Sequence, residues 1–157
     1  KWVNDIYMDD KKICGILTEA VTDFETGQIQ HIVLGFGINC FEAKYPEDLS
    51  QKASFIGGNF SRNKLAADII NETMKIFKNI ESRKFLEEYK NLSMVIDKEI
   101  DVYKPAACAS RTAVPIKALA LGIDSDGGLI IRHEEDPYKG HIETLNSGEI
   151  SIRVKKT

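Results

Sequence analysis

The chain has 157 residues, 43% of them hydrophobic and 29% charged, with a formal net charge of −3. That balance supports a packed core and excludes the disordered and fibrous classes, while the acidic sign excludes binding driven by phosphate neutralisation. No apolar run approaches the roughly 20 residues that cross a bilayer, so neither nucleic acid nor membrane is an expected partner of this segment.

Residues 1–39 read as a β-meander. Trp2 to Met8 is a strand, Asp9-Asp10-Lys11 a polar turn, and Ile13 to Thr18 a second strand interrupted by Gly15. Asp23 to Gly27 turns into a third strand, Ile29 to Gly35, whose run Ile32-Val33-Leu34 is apolar on both faces, the pattern of a strand covered on each side. The spacings fit antiparallel hairpins and are too short for helical crossovers. Phe41 to Asn59, with Pro46, Gly57 and Gly58, reads as a long surface connection with one helical turn at Glu47 to Gln51.

A helix is expected after Ser61, a good N-cap. Leu65, Ile69, Ile70, Thr73, Ile76 and Phe77 recur at three- and four-residue steps and form one apolar stripe, expected to lie on the sheet. A shorter helix near Arg83 to Tyr89 repeats the pattern with Phe85, Leu86 and Tyr89. Beyond Ile96 five short strands are expected: Ile100 to Tyr103, Val114 to Leu121, Leu129 to His133, His141 to Leu145 and Ile150 to Val154, with turn residues between them. That many short strands in so few residues predict a small, partly open barrel. The fold class is therefore α+β, with an antiparallel or mixed sheet bearing helices over 1–96 and a small β-barrel domain over 97–157.

Cys14, Cys40 and Cys108 are odd in number and lack a C-x-x-C pair, so neither a disulfide framework nor a zinc site is indicated, and a cytoplasmic setting is expected. His31, His133 and His141 show no ligand spacing. No metal-ligating residue is assigned.

Several residues have the chemistry to hold an anionic, nucleotide-like ligand, and each also has an ordinary structural reading. The Lys1 ammonium could stabilise charge building up between a carboxylate and a phosphate, or could be a solvated terminal lysine. Asn4 and Asp5 could position a ligand, or could cap the turn and pair with Lys11 or Lys12. Gly15 marks either a bulge or a place where another group approaches the backbone. In Gly35-Phe36-Gly37-Ile38-Asn39 the glycines could admit a phosphate or ribose to backbone N–H groups, and the Asn39 amide could pair with adenine. The alternative is a tight turn with Asn39 left-handed. Arg153 could reach a nucleotide or be a solvated strand residue.

Taken in order, Lys1-Trp2-Val3-Asn4-Asp5, Gly15-Ile16, Gly35-x-Gly37-x-Asn39 and the final Gly148-Glu149-Ile150-Ser151-Ile152-Arg153 resemble the second half of the catalytic domain of biotin protein ligases together with their small C-terminal domain. The resemblance implies ATP-dependent activation of biotin to biotinyl-5′-AMP, with Mg²⁺ shielding the leaving pyrophosphate. Transfer to a lysine of the biotin carboxyl carrier of acetyl-CoA carboxylase follows. It implies Lys1 as the catalytic residue and contact with the biotin carboxylate, Gly15 and Ile16 against biotin, and Asn4, Asp5, Gly35, Gly37, Asn39 and Arg153 toward nucleotide. An SH3-like form of the barrel and a homodimer through the sheet are also implied. The family motif usually has proline where this chain has Val3, which removes a conformational lock. The family's Gly- and Arg-rich adenylate loop and part of its biotin pocket lie upstream of the lysine motif. The chain is thus expected to be a piece of a longer protein, deficient in making the adenylate alone. Two other readings are a non-catalytic dimerisation or carrier-docking module, and a lipoyl ligase relative, which the Lys-Trp-x-Asn-Asp and Gly-Glu-Ile-Ser-Ile-Arg elements suit less well.

Overall fold

A computed structural model describes residues 1–103 and 114–152. The chain forms two compact units, Asn4–Ile69 and a second made of Lys1–Val3 with the residues from Ile70 onward.

The first unit is built on an antiparallel sheet, β1 (Asp5–Met8), β2 (Lys11–Thr22) and β3 (Ile29–Ile38), in the order β1-β2-β3. Asp9 and Asp10 both take positive φ, 49° and 59°, which gives the tight β1–β2 turn the twist a hairpin needs. At the other hairpin the Asp23 carboxylate accepts from the backbone N–H groups of Thr26 and Glu25 at 2.8 and 2.9 Å and from the Thr26 hydroxyl at 3.1 Å. Those bonds, the Thr26 N–H first, hold Asp23 below its ordinary 3.8. A depressed folded value stabilises the turn above the unfolded pKa and is lost as pH falls through the folded one. A carboxyl ¹³C NMR titration should give an Asp23 midpoint below 3.8; a midpoint at or above it contradicts the bonding described.

Two expectations are corrected here. The first strand begins at Asp5, not Trp2, because Trp2 is buried in the core of the other unit. The burial expected for β3 is not found: Ile32, Val33 and Leu34 are all exposed.

The segment after β3 is stitched to the sheet. Lys12 N–H donates to Lys52 O and Ser54 N–H to Lys12 O, both at 2.9 Å, around the single turn α1 (Glu47–Ser50). Phe41 and Phe60 stack with centroids 5.3 Å apart and close the loop's ends. Helix α2 (Arg62–Lys78) starts as the sequence predicts, with Lys64 N–H donating to Ser61 Oγ at 3.3 Å. Its stripe is not deeply packed: no α2 residue is buried, and Ile70, Ile76 and Phe77 stay exposed.

The second unit holds α3 (Phe85–Asn91) and a five-stranded antiparallel sheet ordered β7-β6-β5-β4-β8. Its strands are β4 (Glu99–Tyr103), β5 (Ile116–Ile123), β6 (Leu129–His133), β7 (Ile142–Leu145) and β8 (Glu149–Ile152), the five the alternation predicts. Their inward side chains, Ile100, Val102, Ala118, Ala120, Leu129 and Ile131, are almost fully buried, and Trp2, Val95, Ile123, Leu145 and Ile150 complete that core. His133 is buried in β6 with Nε2 3.2 Å from Glu143 Oε1.

Candidate functional site

Register in the three-stranded sheet turns separate motifs into neighbours. Asp5 pairs with Gly15, Gly15 with Gly37, and Leu17 with Gly35. Cross-strand partners share a face, so Asp5, Gly15, Gly37 and Gly35 lie on one side of the sheet. Three glycines there leave the backbone bare over two adjoining strands. A Cβ at Gly37 would meet only Gly15 O at 3.7 Å, and one at Gly35 only Leu17, no closer than 3.8 Å.

The cation over this floor is Lys12. Its Nζ is 2.6 Å from Asp5 Oδ1 and 3.2 Å from where a Gly15 Cβ would stand. An ion pair this accessible contributes about 0.2–1 kcal/mol, too little to account for its placement by stability alone. Its stronger consequence is positional, since Asp5 fixes an ammonium beside Gly15, on the face that Gly35, Gly37 and the Leu17 side chain share. Sequence reasoning noted Lys12 only as a partner for Asp5. Plain counting across the Asp9-Asp10 turn pairs Asp5 with Cys14; the register shift between Ile6 and Tyr7 moves it to Gly15, and nothing in the sequence signals that shift.

Gly15 is not a bulge, since the β1–β2 irregularity lies between Ile6 and Tyr7 and the β2–β3 one between Val21 and Thr22. Gly15 is instead a place of close approach, by the Lys12 side chain. Gly35 and Gly37 are strand residues rather than a turn, and Asn39 does not take positive φ. Asn39 fastens the following loop: its Nδ2 donates to Ser54 O at 2.9 Å, its N–H to Ile13 O at 2.8 Å, and its carbonyl accepts from Ile56 N–H at 2.9 Å. Tyr45 Oη reaches the same Ser54 carbonyl at 3.3 Å. Ile16 pairs with Phe36 on the face opposite Gly15, and its N–H donates to Asn4 O at 2.8 Å. Asn4 therefore holds β2 through its backbone.

Cys14, beside Ile13 on β2, is buried, and burial pushes its thiol up, outweighing the opposing pull of Lys12; Asp5 pushes it up further. Only the thiolate alkylates readily. Peptide mapping after native iodoacetamide treatment should show Cys40 modified well before Cys14; equal rates would contradict the burial.

Lys1 belongs to the second unit with Trp2 and Val3. The Trp2 indole is 3% exposed and its Nε1–H donates to Gly127 O at 3.1 Å. Val3, at the family's proline position, follows a cis peptide bond, and its carbonyl accepts from Tyr89 Oη at 3.4 Å. Arg153 lies outside the described residues. Among the described residues no group of three or more His, Cys, Asp or Glu side chains could hold a metal ion, and no helix is long and apolar enough to cross a membrane.

Residues 1–39 match the model of the biotin/lipoate A/B protein ligase family, and residues 112–153 that of the biotin protein ligase C-terminal domain. The bifunctional ligase/repressor BirA of Salmonella typhimurium is 31% identical over 160 residues, covering 98% of this chain and 46% of BirA. Its Escherichia coli counterpart is 30% identical over the same shares. The chain thus spans about half the length of the curated relatives it matches. Among solved structures, the biotin protein ligase of Aquifex aeolicus in complex with biotin and ATP superposes with a TM-score of 0.69 at 25% identity, over 97% of this chain and 60% of that one. The apo Aquifex enzyme, at 24% identity and a TM-score of 0.70, shares the fold. With both family models met in order and the likeness running almost end to end, the chain belongs to the biotin protein ligase family.

Proposed function

We propose that this chain forms part of an enzyme that activates biotin with ATP to biotinyl-5′-AMP and passes biotin to a lysine of the biotin carboxyl carrier of acetyl-CoA carboxylase. The observation that carries the reading is the direct pairing of Gly15 with Gly37 beneath an Asp5-held lysine. A bare backbone floor suits a flat ring, and an ammonium at its edge suits an anion. In this reading residues 1–96 belong to the catalytic domain and 97–157 to the small C-terminal domain, in a cytoplasmic protein. Lys1 takes the biotin carboxylate and the α-phosphate, Gly15 and Ile16 adjoin biotin, and Asn4, Asp5, Gly35, Gly37, Asn39 and Arg153 serve the nucleotide.

Adenylation brings an anionic carboxylate against an anionic phosphate, with pyrophosphate leaving. Lysine charge at the point of attack lowers that repulsion, and fixing both reactants supplies much of the rest. Mg²⁺ enters with ATP, held mainly by its phosphates. No side-chain nucleophile is needed, because the biotin carboxylate attacks. Both faces of β3 are exposed, and charge stabilisation weakens where water has access; these residues alone are therefore deficient in turnover. β3 is also an edge strand in this sheet, and a homodimer through the sheet would pair its free N–H and C=O groups.

Calorimetric titration with biotinyl-5′-AMP tests the reading. Saturable binding that weakens at least tenfold in Lys1→Ala is expected. Absence of binding overturns the ligand site and favours a non-catalytic docking or dimerisation module.

A further inference from the structure

The residues just after Lys1 are gripped twice within their own unit. The Trp2 indole donates to Gly127 O at 3.1 Å and the Val3 carbonyl accepts from Tyr89 Oη at 3.4 Å. The turn that supplies Gly127 is itself unusually constrained. Asp124 Oδ1 accepts from the N–H groups of Asp126 and Gly128, both at 2.8 Å, and Asp124 N–H closes the turn onto Gly128 O at 2.9 Å. The Arg83 guanidinium donates to Ser125 O and to the Asp126 carboxylate. A Cβ at Gly128 would sit 2.5 Å from Thr144 Cγ2, so any side chain there would force a neighbour to shift.

This is more order than a surface hairpin turn requires, and it converges on one indole N–H. Lysine is a flexible stem carrying about 2 kcal/mol of rotamer entropy. Its head can be placed reproducibly only if its Cα is held, and displacements near 1 Å are costly at a reacting centre. We infer that the Asp124–Gly128 turn positions Lys1 by holding the Trp2 indole, making Trp2 and Asp124 positioning residues. The inference rests on the reading of Lys1 as the contact for the biotin carboxylate and phosphate.

Two measurements on the whole chain test it. By NMR, Asp124→Ala should speed exchange of the Trp2 indole N–H at least tenfold, whereas Asp124→Asn, which keeps the accepting oxygen, should not. By calorimetry, Trp2→Phe and Asp124→Ala should weaken biotinyl-5′-AMP binding at least fivefold, Asp124→Asn should restore it, and Lys1→Ala combined with Asp124→Ala should bind no more weakly than Lys1→Ala alone. Unchanged indole exchange in Asp124→Ala overturns the link between turn and Trp2. Wild-type affinity in Trp2→Phe and Asp124→Ala, with Lys1→Ala still impaired, overturns the positioning role and leaves the functional reading intact. Wild-type affinity in Lys1→Ala overturns that reading and the inference with it.

Discussion

Replacing Trp2 by alanine is expected to destabilise the unit containing β4–β8 by about 3–5 kcal/mol, the range for emptying a large aromatic site in a core. Domains are stable by only about 5–15 kcal/mol, so the loss is a large share of the total. The indole is 3% exposed and packs in a core of otherwise aliphatic side chains. Removing it leaves a cavity and strips Gly127 O of its donor, and a bond of that kind adds about 0.5–1.5 kcal/mol. Far-UV circular dichroism should register a fall in Tm of roughly 10 °C or more. A shift of a degree or two would mean that Trp2 is not a core residue.

Gly15→Val should act in the opposite way, on binding rather than stability. Gly15 sits in a regular strand without positive φ, and valine favours strands. The new Cβ, however, would stand 3.2 Å from Lys12 Nζ and 3.3 Å from its Cε. The lysine's flexible end must swing away from Asp5, and two methyl groups would rise from the glycine floor. Biotinyl-5′-AMP affinity should drop at least tenfold, about 1.4 kcal/mol, with Tm little changed. Retained affinity would place the ligand elsewhere.

These two substitutions mark where reading the sequence succeeded and where it stopped. Alternation and turn residues located every strand from Ile100 onward, because a half-buried antiparallel strand writes its period into its side chains. Period also identified α2 and its Ser61 cap. Register was not legible: Gly15 and Gly35-x-Gly37 looked like a bulge and a turn, since nothing local in either says that they pair. Trp2 was misplaced because a single aromatic at a strand's start carries no sign of which unit buries it. Lys12 went unassigned because its role arises from Asp5 across a hairpin. The exposed apolar residues of β3 and α2 show the limit from the other side: an apolar pattern reports what a segment is suited to pack against, and its burial does not follow from the pattern.

The claim that Gly15, Gly35 and Gly37 form a ligand floor is tested most directly by titrating biotinyl-5′-AMP into the ¹⁵N-labelled chain and following backbone amides by NMR. Saturable shifts centred on Gly15, Gly35 and Gly37, with Lys12 and the Asn39–Ser54 contact moving in step, are expected. An unchanged spectrum, or shifts confined to the β6–β7 hairpin, would contradict it.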